Sequence, residues 1–133
     1  MTLPKLDPFT EAYIRCALWS STSESGSPLD EKFSIEDIDH ESIIRMDQDC
    51  RVFQFMARDL LSDATTAGYD ESKQGHDFWL TRNGHGTGFW DRDLGDDIGE
   101  QLTELCKQFV ECYLYINVNE ETGDYRLKAI YYG

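Results

Sequence analysis

The feature that most constrains the fold is the central segment GHDFWLTRNGHGTGFWDRD, in which two aromatic runs flank Asn83-Gly84-His85-Gly86. An Asn-Gly pair between apolar runs is the strongest short-range signal for a β-hairpin, because a type I′ turn needs positive φ at both central residues. The sequence therefore predicts a hairpin over residues 76–92. Its two-residue loop is either Asn83-Gly84 or Gly84-His85, and both choices leave the side chains on the same faces.

One face of this predicted hairpin offers a candidate partner-binding surface. With Gly84-His85 as the loop, Trp79 lies opposite Trp90, and Asp77 lies opposite Arg92. Paired Trp side chains beside an Arg are typical of protein-binding hot spots. Trp79, Trp90 and Arg92 are therefore the candidate residues of an aromatic interaction face.

Apolar residues at steps of three and four predict three helices elsewhere in the chain. They fall at residues 8–20, about 40–62 and about 97–109. Asp7 followed by Pro8 predicts the start of the first helix. Capping boxes are predicted at Ser34–Asp37 and at Asp97–Glu100.

Period-2 alternation predicts two further strands, at 111–118 and 124–132, whereas residues 63–75 are predicted to form a loop. The resulting order α-α-β-β-α-β-β predicts an α+β fold, with about three helices packed on a mostly antiparallel sheet of about four strands. A chain of 133 residues fits one domain, 1–133, in which the Ser/Gly/Pro-rich segment 20–32 is a flexible linker.

The charge of the chain excludes several classes of partner. Twelve Lys and Arg against 26 Asp and Glu give a net charge of −14 and a pI near 4.4. Such a field repels phosphate backbones and anionic lipid, so direct nucleic-acid binding and membrane binding are not expected. An acidic surface suits solubility, or docking onto a basic surface of another protein.

Two stretches concentrate the acid: eight acidic residues in 30–49, and six in 91–104. The candidate partner-binding carboxylates are Asp30, Glu31, Glu36, Asp37, Asp39, Glu41, Asp47, Asp91, Asp93, Asp96, Asp97, Glu100 and Glu104.

The four cysteines, Cys16, Cys50, Cys106 and Cys112, form no CxxC pair and have no His at ligand spacing. We expect them to be reduced and mostly buried. The N-terminus lacks a basic region followed by an apolar run, and no apolar stretch approaches 18 residues, so a cytoplasmic protein is expected.

His76, Asp77 and His85 are metal-ligand residue types within the predicted hairpin. Their spacing matches neither a helical zinc site nor a calcium loop, and no nucleophile motif or phosphate-binding loop accompanies them. The sequence therefore predicts no catalytic residue, metal or cofactor, and a small metal-dependent enzyme around these residues is the least favoured alternative.

The stretch GHDFWLTRNGHGTGFWDR, with ALWSST upstream and GDDIG downstream, resembles a group of short accessory proteins of bacteriophages and prophages. The resemblance implies an accessory phage protein that acts in the cytoplasm of the host bacterium. No catalytic residues can be transferred from this group.

By analogy with other small acidic phage proteins, the favoured hypothesis is an inhibitor of a host nucleic-acid-handling or defence complex, of anti-CRISPR or anti-restriction type. Its carboxylates would stand in for DNA phosphates on the basic surface of the target. The alternative is an interaction module that uses the Trp79/Trp90 face.

Overall fold

The computed structural model describes residues 4–23, 25–85, 88–89, 92 and 97–132. Within them the chain forms five α-helices, two 3₁₀ turns and one two-stranded antiparallel sheet. In chain order these are α1 (Pro8–Ser20), turns at Leu29–Glu31 and Ile35–Asp37, α2 (His40–Met56), α3 (Arg58–Thr66), α4 (Glu71–Arg82), α5 (Ile98–Cys106), β1 (Glu111–Val118) and β2 (Tyr125–Tyr132). The mixed α+β class is correct, but the prediction of three helices on a four-stranded sheet is wrong.

Helix α1 begins and ends where the sequence predicts. The Asp7 carboxylate accepts a hydrogen bond from the Thr10 N–H (2.8 Å), and Pro8 occupies the first turn, where no N–H is needed. Ser21 is extended and ends the helix. The stripe that faces the core includes Phe9, Tyr13, Ile14, Ala17 and Leu18.

The single helix predicted over 40–62 is two helices. Ala57, with φ −103° and ψ 14°, separates α2 from α3, and Arg58 Nη1 donates to the Phe55 carbonyl beside this break (2.8 Å). No Gly or Pro marks the position, so no local signal predicts it. Helix α3 extends to Thr66, and the predicted loop over 63–75 is therefore wrong.

The predicted hairpin over 76–92 is also wrong, because its first half belongs to α4. Asp70 caps this helix by accepting from the Lys73 N–H (3.0 Å). At its end Gly84 has φ 69°, the Gly84 N–H donates to the Thr81 carbonyl, and the His85 N–H donates to the Leu80 carbonyl. This is a Schellman cap, in which only the glycine needs positive φ.

Burial explains why the helix is favoured over the hairpin. Gly75, Phe78, Trp79 and Arg82 are buried at helical spacing along α4. At Gly75 the two helices come so close that a Cβ atom would clash with the Phe9 carbonyl oxygen of α1. A strand would place Phe78 and Trp79 on opposite faces, and this packing against α1 would be lost.

After α4 the described part of the chain returns across the helix. The Phe89 N–H donates to Thr81 Oγ1 (3.0 Å), and the Phe89 ring is fully buried. Arg92 reaches back to Asp77, so the contact expected between these two residues exists without the predicted strands.

The C-terminal strands are confirmed. They pair antiparallel from Glu111 opposite Tyr132 to Val118 opposite Tyr125. The outer edge of β2 is held by the segment before α2, since the Asp39 N–H donates to the Leu127 carbonyl (2.9 Å).

Stacked aromatic rings form the centre of the core. The rings of Phe53 and Phe78 lie 4.2 Å apart and nearly parallel, with Phe9, Phe89 and Phe109 around them. Helices α1, α2 and α4 each contribute to this stack, and it therefore joins distant parts of the chain.

Candidate interaction surfaces

Four carboxylates of the first acidic stretch point to solvent. Asp30 and Glu31 lie on the first 3₁₀ turn, Glu36 lies on the second, and Glu41 lies in the first turn of α2. All four are exposed, and none forms an ion pair within the described part of the chain. The name acidic patch is used below for Asp30, Glu31, Glu36 and Glu41.

Two other candidates in this stretch stabilise local structure instead. Asp37 completes the predicted capping box by accepting from the Ser34 N–H (2.8 Å). Asp39 caps α2 by accepting from the Ser42 N–H (2.9 Å) and lies 3.7 Å from Lys128. Their carboxylates are only partly available to a partner.

Asp47 is a candidate that the structure largely removes from the surface. It is 5 % exposed and pairs with Arg51 at 2.9 Å. Its neighbour Asp49 binds both Arg82 (2.8 Å) and Arg45 (3.4 Å). The helix-spaced pairs Arg45–Asp49 and Asp47–Arg51 are thus both present, and Asp47 faces inward.

Of the acidic residues of the second stretch, the structure describes Asp97, Glu100 and Glu104; Asp91, Asp93 and Asp96 lie outside the described residues. Asp97 precedes α5 with φ 58° and makes no capping hydrogen bond through its side chain, so the predicted Asp97–Glu100 capping box is absent. Glu100 is exposed, and Glu104 is exposed and pairs with Lys107 (2.7 Å).

A larger share of the basic side chains than of the acidic ones takes part in ion pairs within the described residues. Seven of the 12 Lys and Arg residues form ion pairs within the described residues, with only six carboxylates. The surface left for a partner is thus even more one-sided in charge than the composition indicates.

Of the residues of the predicted aromatic face, Trp79 is not available at the surface. Trp79 is 1 % exposed, and its ring packs edge-on to that of Tyr13 with centroids 5.3 Å apart. Its Nε1 donates a hydrogen bond to Ser20 Oγ (2.7 Å). It is a core residue, because a helix buries it against α1. Arg92 is engaged by Asp77, and Trp90 lies outside the described residues.

The metal-enzyme alternative gains no support from the placement of His76, Asp77 and His85. Asp77 is fully buried and accepts from Arg92 Nε (2.8 Å), Arg92 Nη2 (3.0 Å) and the Tyr69 hydroxyl. The His76 ring packs on Trp19 with centroids 5.7 Å apart. Across the described residues no three His, Cys, Asp or Glu side chains are grouped as metal ligands.

All four thiols are free and buried, as predicted. Burial raises the pKa of the Cys16 thiol to about 12 and also raises the pKa values of Cys50, Cys106 and Cys112. A raised pKa favours the protonated thiol at neutral pH and so lowers its reactivity as a nucleophile.

The largest feature that the sequence interpretation missed is the apolar surface of the β1–β2 hairpin. Eleven large hydrophobic side chains are exposed in the described part of the chain, and this hairpin carries seven of them. These are Tyr113, Tyr115, Ile116, Val118, Tyr125, Ile130 and Tyr132. The available signal was that tyrosines occupy the alternate positions of β1, where a one-sided strand would carry polar residues.

A groove of about 710 Å³ lies under the tip of this hairpin. Ile116, Val118 and Tyr125 line it from the sheet, and Phe33 and Lys32 line the opposite side. The ring of Phe33 packs edge-on to the ring of Tyr125, with the ring centroids 5.8 Å apart. The tip of the hairpin therefore faces this groove instead of packing on the core.

None of the described helices is both long enough and apolar enough to cross a membrane. The chain matches no protein-family model, no curated protein and no solved structure.

Proposed function

We propose that this chain is a phage-encoded accessory protein that inhibits a host nucleic-acid-handling or defence complex, of anti-CRISPR or anti-restriction type. It acts in the bacterial cytoplasm by docking its acidic patch onto the basic surface with which the target binds nucleic acid. The observation that carries the proposal is the group of exposed carboxylates at Asp30, Glu31, Glu36 and Glu41, which have no ion-pair partner within the described residues.

The physical reason is the field that these groups produce. With a net charge of −14, the chain attracts a basic groove over about one Debye length, roughly 8 Å at physiological ionic strength. Carboxylates without internal partners can pair with the Lys and Arg that otherwise neutralise phosphates. The resemblance to phage accessory proteins supports the same interpretation, and the proposal assigns no catalytic residue and no cofactor.

The test compares two variants that change the charge equally. In the first, Glu31, Glu36 and Glu41 become Gln; in the control, Asp59 and Asp63 become Asn and Glu71 becomes Gln, all three exposed and none of them part of the acidic patch. Each chain is immobilised, and bacterial lysate is passed over it at NaCl concentrations from about 50 to about 500 mM. Bound proteins are identified by mass spectrometry.

We expect a nucleic-acid-binding protein that is released by rising salt and displaced by excess duplex DNA. Three surface charge contacts together are worth about 1–2 kcal/mol, so the first variant should bind about tenfold more weakly while the control binds normally. Equal binding by both variants, or capture that is indifferent to salt and to DNA, would refute the proposal.

A further inference from the structure

The two edges of the β1–β2 sheet differ in what occupies them. On the β2 edge, the Leu127 carbonyl accepts from the Asp39 N–H, and the Ala129 N–H donates to Ser42 Oγ (2.9 Å). On the β1 edge, the described residues provide a partner for Cys112, whose N–H donates to Asn83 Oδ1 (2.8 Å). Beyond Cys112, no strand or bridge among the described residues pairs with this edge.

The backbone groups of the open edge follow from the register. Because the Cys112 N–H points away from β2, the N–H and C=O groups of every second residue after it point away as well. Leu114, Ile116 and Val118 thus present three donors and three acceptors to an added strand. An extended chain pairs with such an edge without any change in the sheet.

β1 also lacks the features that normally protect an edge strand. In ECYLYINV there is no Pro and no Lys, and the one charged residue, Glu111, is at the first position. Positive φ values, which would mark a glycine bulge, do not occur in this strand. Natural monomers blunt long edges with Lys, Pro or bulges, and an edge without them is suited to pairing.

Side chains on both faces would contact an added strand. Ile116 and Val118, which are 36 % and 55 % exposed, alternate along β1 with Tyr113 and Tyr115, which are 39 % and 41 % exposed. Ile116, Val118 and Tyr115 line the groove. Alternate residues of an incoming strand would therefore meet apolar surface above and below the sheet.

Charge identifies the occupant as another protein rather than a second copy. Antiparallel pairing of two β1 edges about Ile116 would place Glu111 of one copy opposite Glu121 of the other and bring together two chains of charge −14. Carboxylates stand at both ends of the edge, Glu111 before it and Glu120, Glu121 and Asp124 in the turn after it. Lys32 is the charged side chain among the described residues lining the groove, so the middle of the occupant should carry no Lys or Arg.

We propose that the β1 edge from Leu114 to Val118 receives an extended segment of another protein, apolar at alternate positions and with Lys or Arg at its ends. This inference rests on the proposed function for the identity of the protein that carries the segment. The backbone pairing itself is independent of what that protein does.

The experiment selects random peptides of about twelve residues, displayed on phage particles, against the full chain. Ile116→Pro removes an outward N–H without removing a β1–β2 hydrogen bond, and Val118→Lys places a charge on the edge. Val52→Lys is the matched control, because Val52 is 50 % exposed on α2 and the change in charge is identical. Cooperative thermal unfolding of each variant shows that it is folded.

We expect selected peptides with alternating apolar residues and basic ends, which bind Ile116→Pro and Val118→Lys at least about tenfold more weakly and bind Val52→Lys normally. Hydrogen exchange should show new protection at the amides of Leu114, Ile116 and Val118. If the selected peptides bind both edge variants normally, or no peptide is enriched, the proposal is wrong. If sedimentation shows a dimer and Val118→Lys dissociates it, the occupant of the edge is a second copy of this chain rather than another protein.

This result separates the two proposals. Peptide binding at the edge without capture of a nucleic-acid-binding protein would remove the proposed function and leave the docking edge in place. Salt-sensitive capture that both edge variants retain would leave the proposed function in place and remove the docking edge.

Discussion

At the scale of single residues, two buried charges of α4 tie distant parts of the chain together. The side chain of Arg82 is 1 % exposed; it binds Asp49 (2.8 Å), the Tyr13 hydroxyl (3.1 Å) and the Val110 carbonyl (2.8 Å). Asp77 is held in the same way by Arg92. Burying such groups is favourable only when their hydrogen bonds are complete, so each is a sensitive point of the fold.

Arg82 and Arg45 allow a direct comparison, because both bind Asp49. Arg82→Met should destabilise the protein by about 3 kcal/mol, since it leaves a carboxylate and a carbonyl without their buried partner. Arg45 is 48 % exposed, and Arg45→Met should cost less than about 1 kcal/mol. Urea unfolding followed by tryptophan fluorescence measures both values. Equal losses would mean that burial of Arg82 does not determine its contribution.

At the scale of elements, the contact between α1 and α4 decides the conformation of the central segment. Asn-Gly is compatible with a type I′ turn and with a helix end, and the three apolar residues at 78–80 are compatible with a strand and with a helix. Packing of α4 along α1, with Gly75 at the closest approach, favours the helix.

Gly75→Ala tests this contact, because two effects oppose each other. Alanine is the better helix former by about 1 kcal/mol, whereas its Cβ would clash with the backbone of Phe9 and overpacking costs about 1–3 kcal/mol. We expect net destabilisation in urea unfolding. Ser72→Ala, at an exposed position of the same helix, should change stability by only a few tenths of a kcal/mol. A more stable Gly75→Ala variant would show that the helices are not in close contact.

At the scale of the whole molecule, the buried core and the exposed surface of the β1–β2 hairpin carry different kinds of side chain. Every thiol lies in the core, whereas most of the exposed large hydrophobic side chains of the described residues lie on β1 and β2. The hairpin surface is therefore where contact with another protein buries apolar area without unfolding.

The closed core makes the four cysteines reporters of global unfolding. Because burial raises their pKa values and excludes reagent, we expect no reaction with a thiol-specific disulfide reagent at pH 8 in native buffer and four reacted thiols in concentrated guanidinium. Absorbance of the released chromophore counts the thiols. Rapid reaction of any thiol in the native protein would show that the core opens locally.

The sequence alone determined the elements whose signals are local. Asp7-Pro8 placed the start of α1, Ser34 and Asp37 form the predicted capping box, and period-2 alternation located β1 and β2. The reduced, buried cysteines were also correctly predicted. For the helix start, the capping box and the strands, the signal and the structure that it specifies lie within a few residues of each other.

Only the tertiary structure decided the rest. The central segment became α4 because α1 lies beside it, and Trp79 moved from a predicted binding face into the core for the same reason. Likewise Asp47 is buried, Asp30 is exposed, and no other described strand pairs with the β1 edge, because of where distant elements pack. Local sequence limits the conformations that a segment can adopt, but burial against residues far away in the chain selects among them.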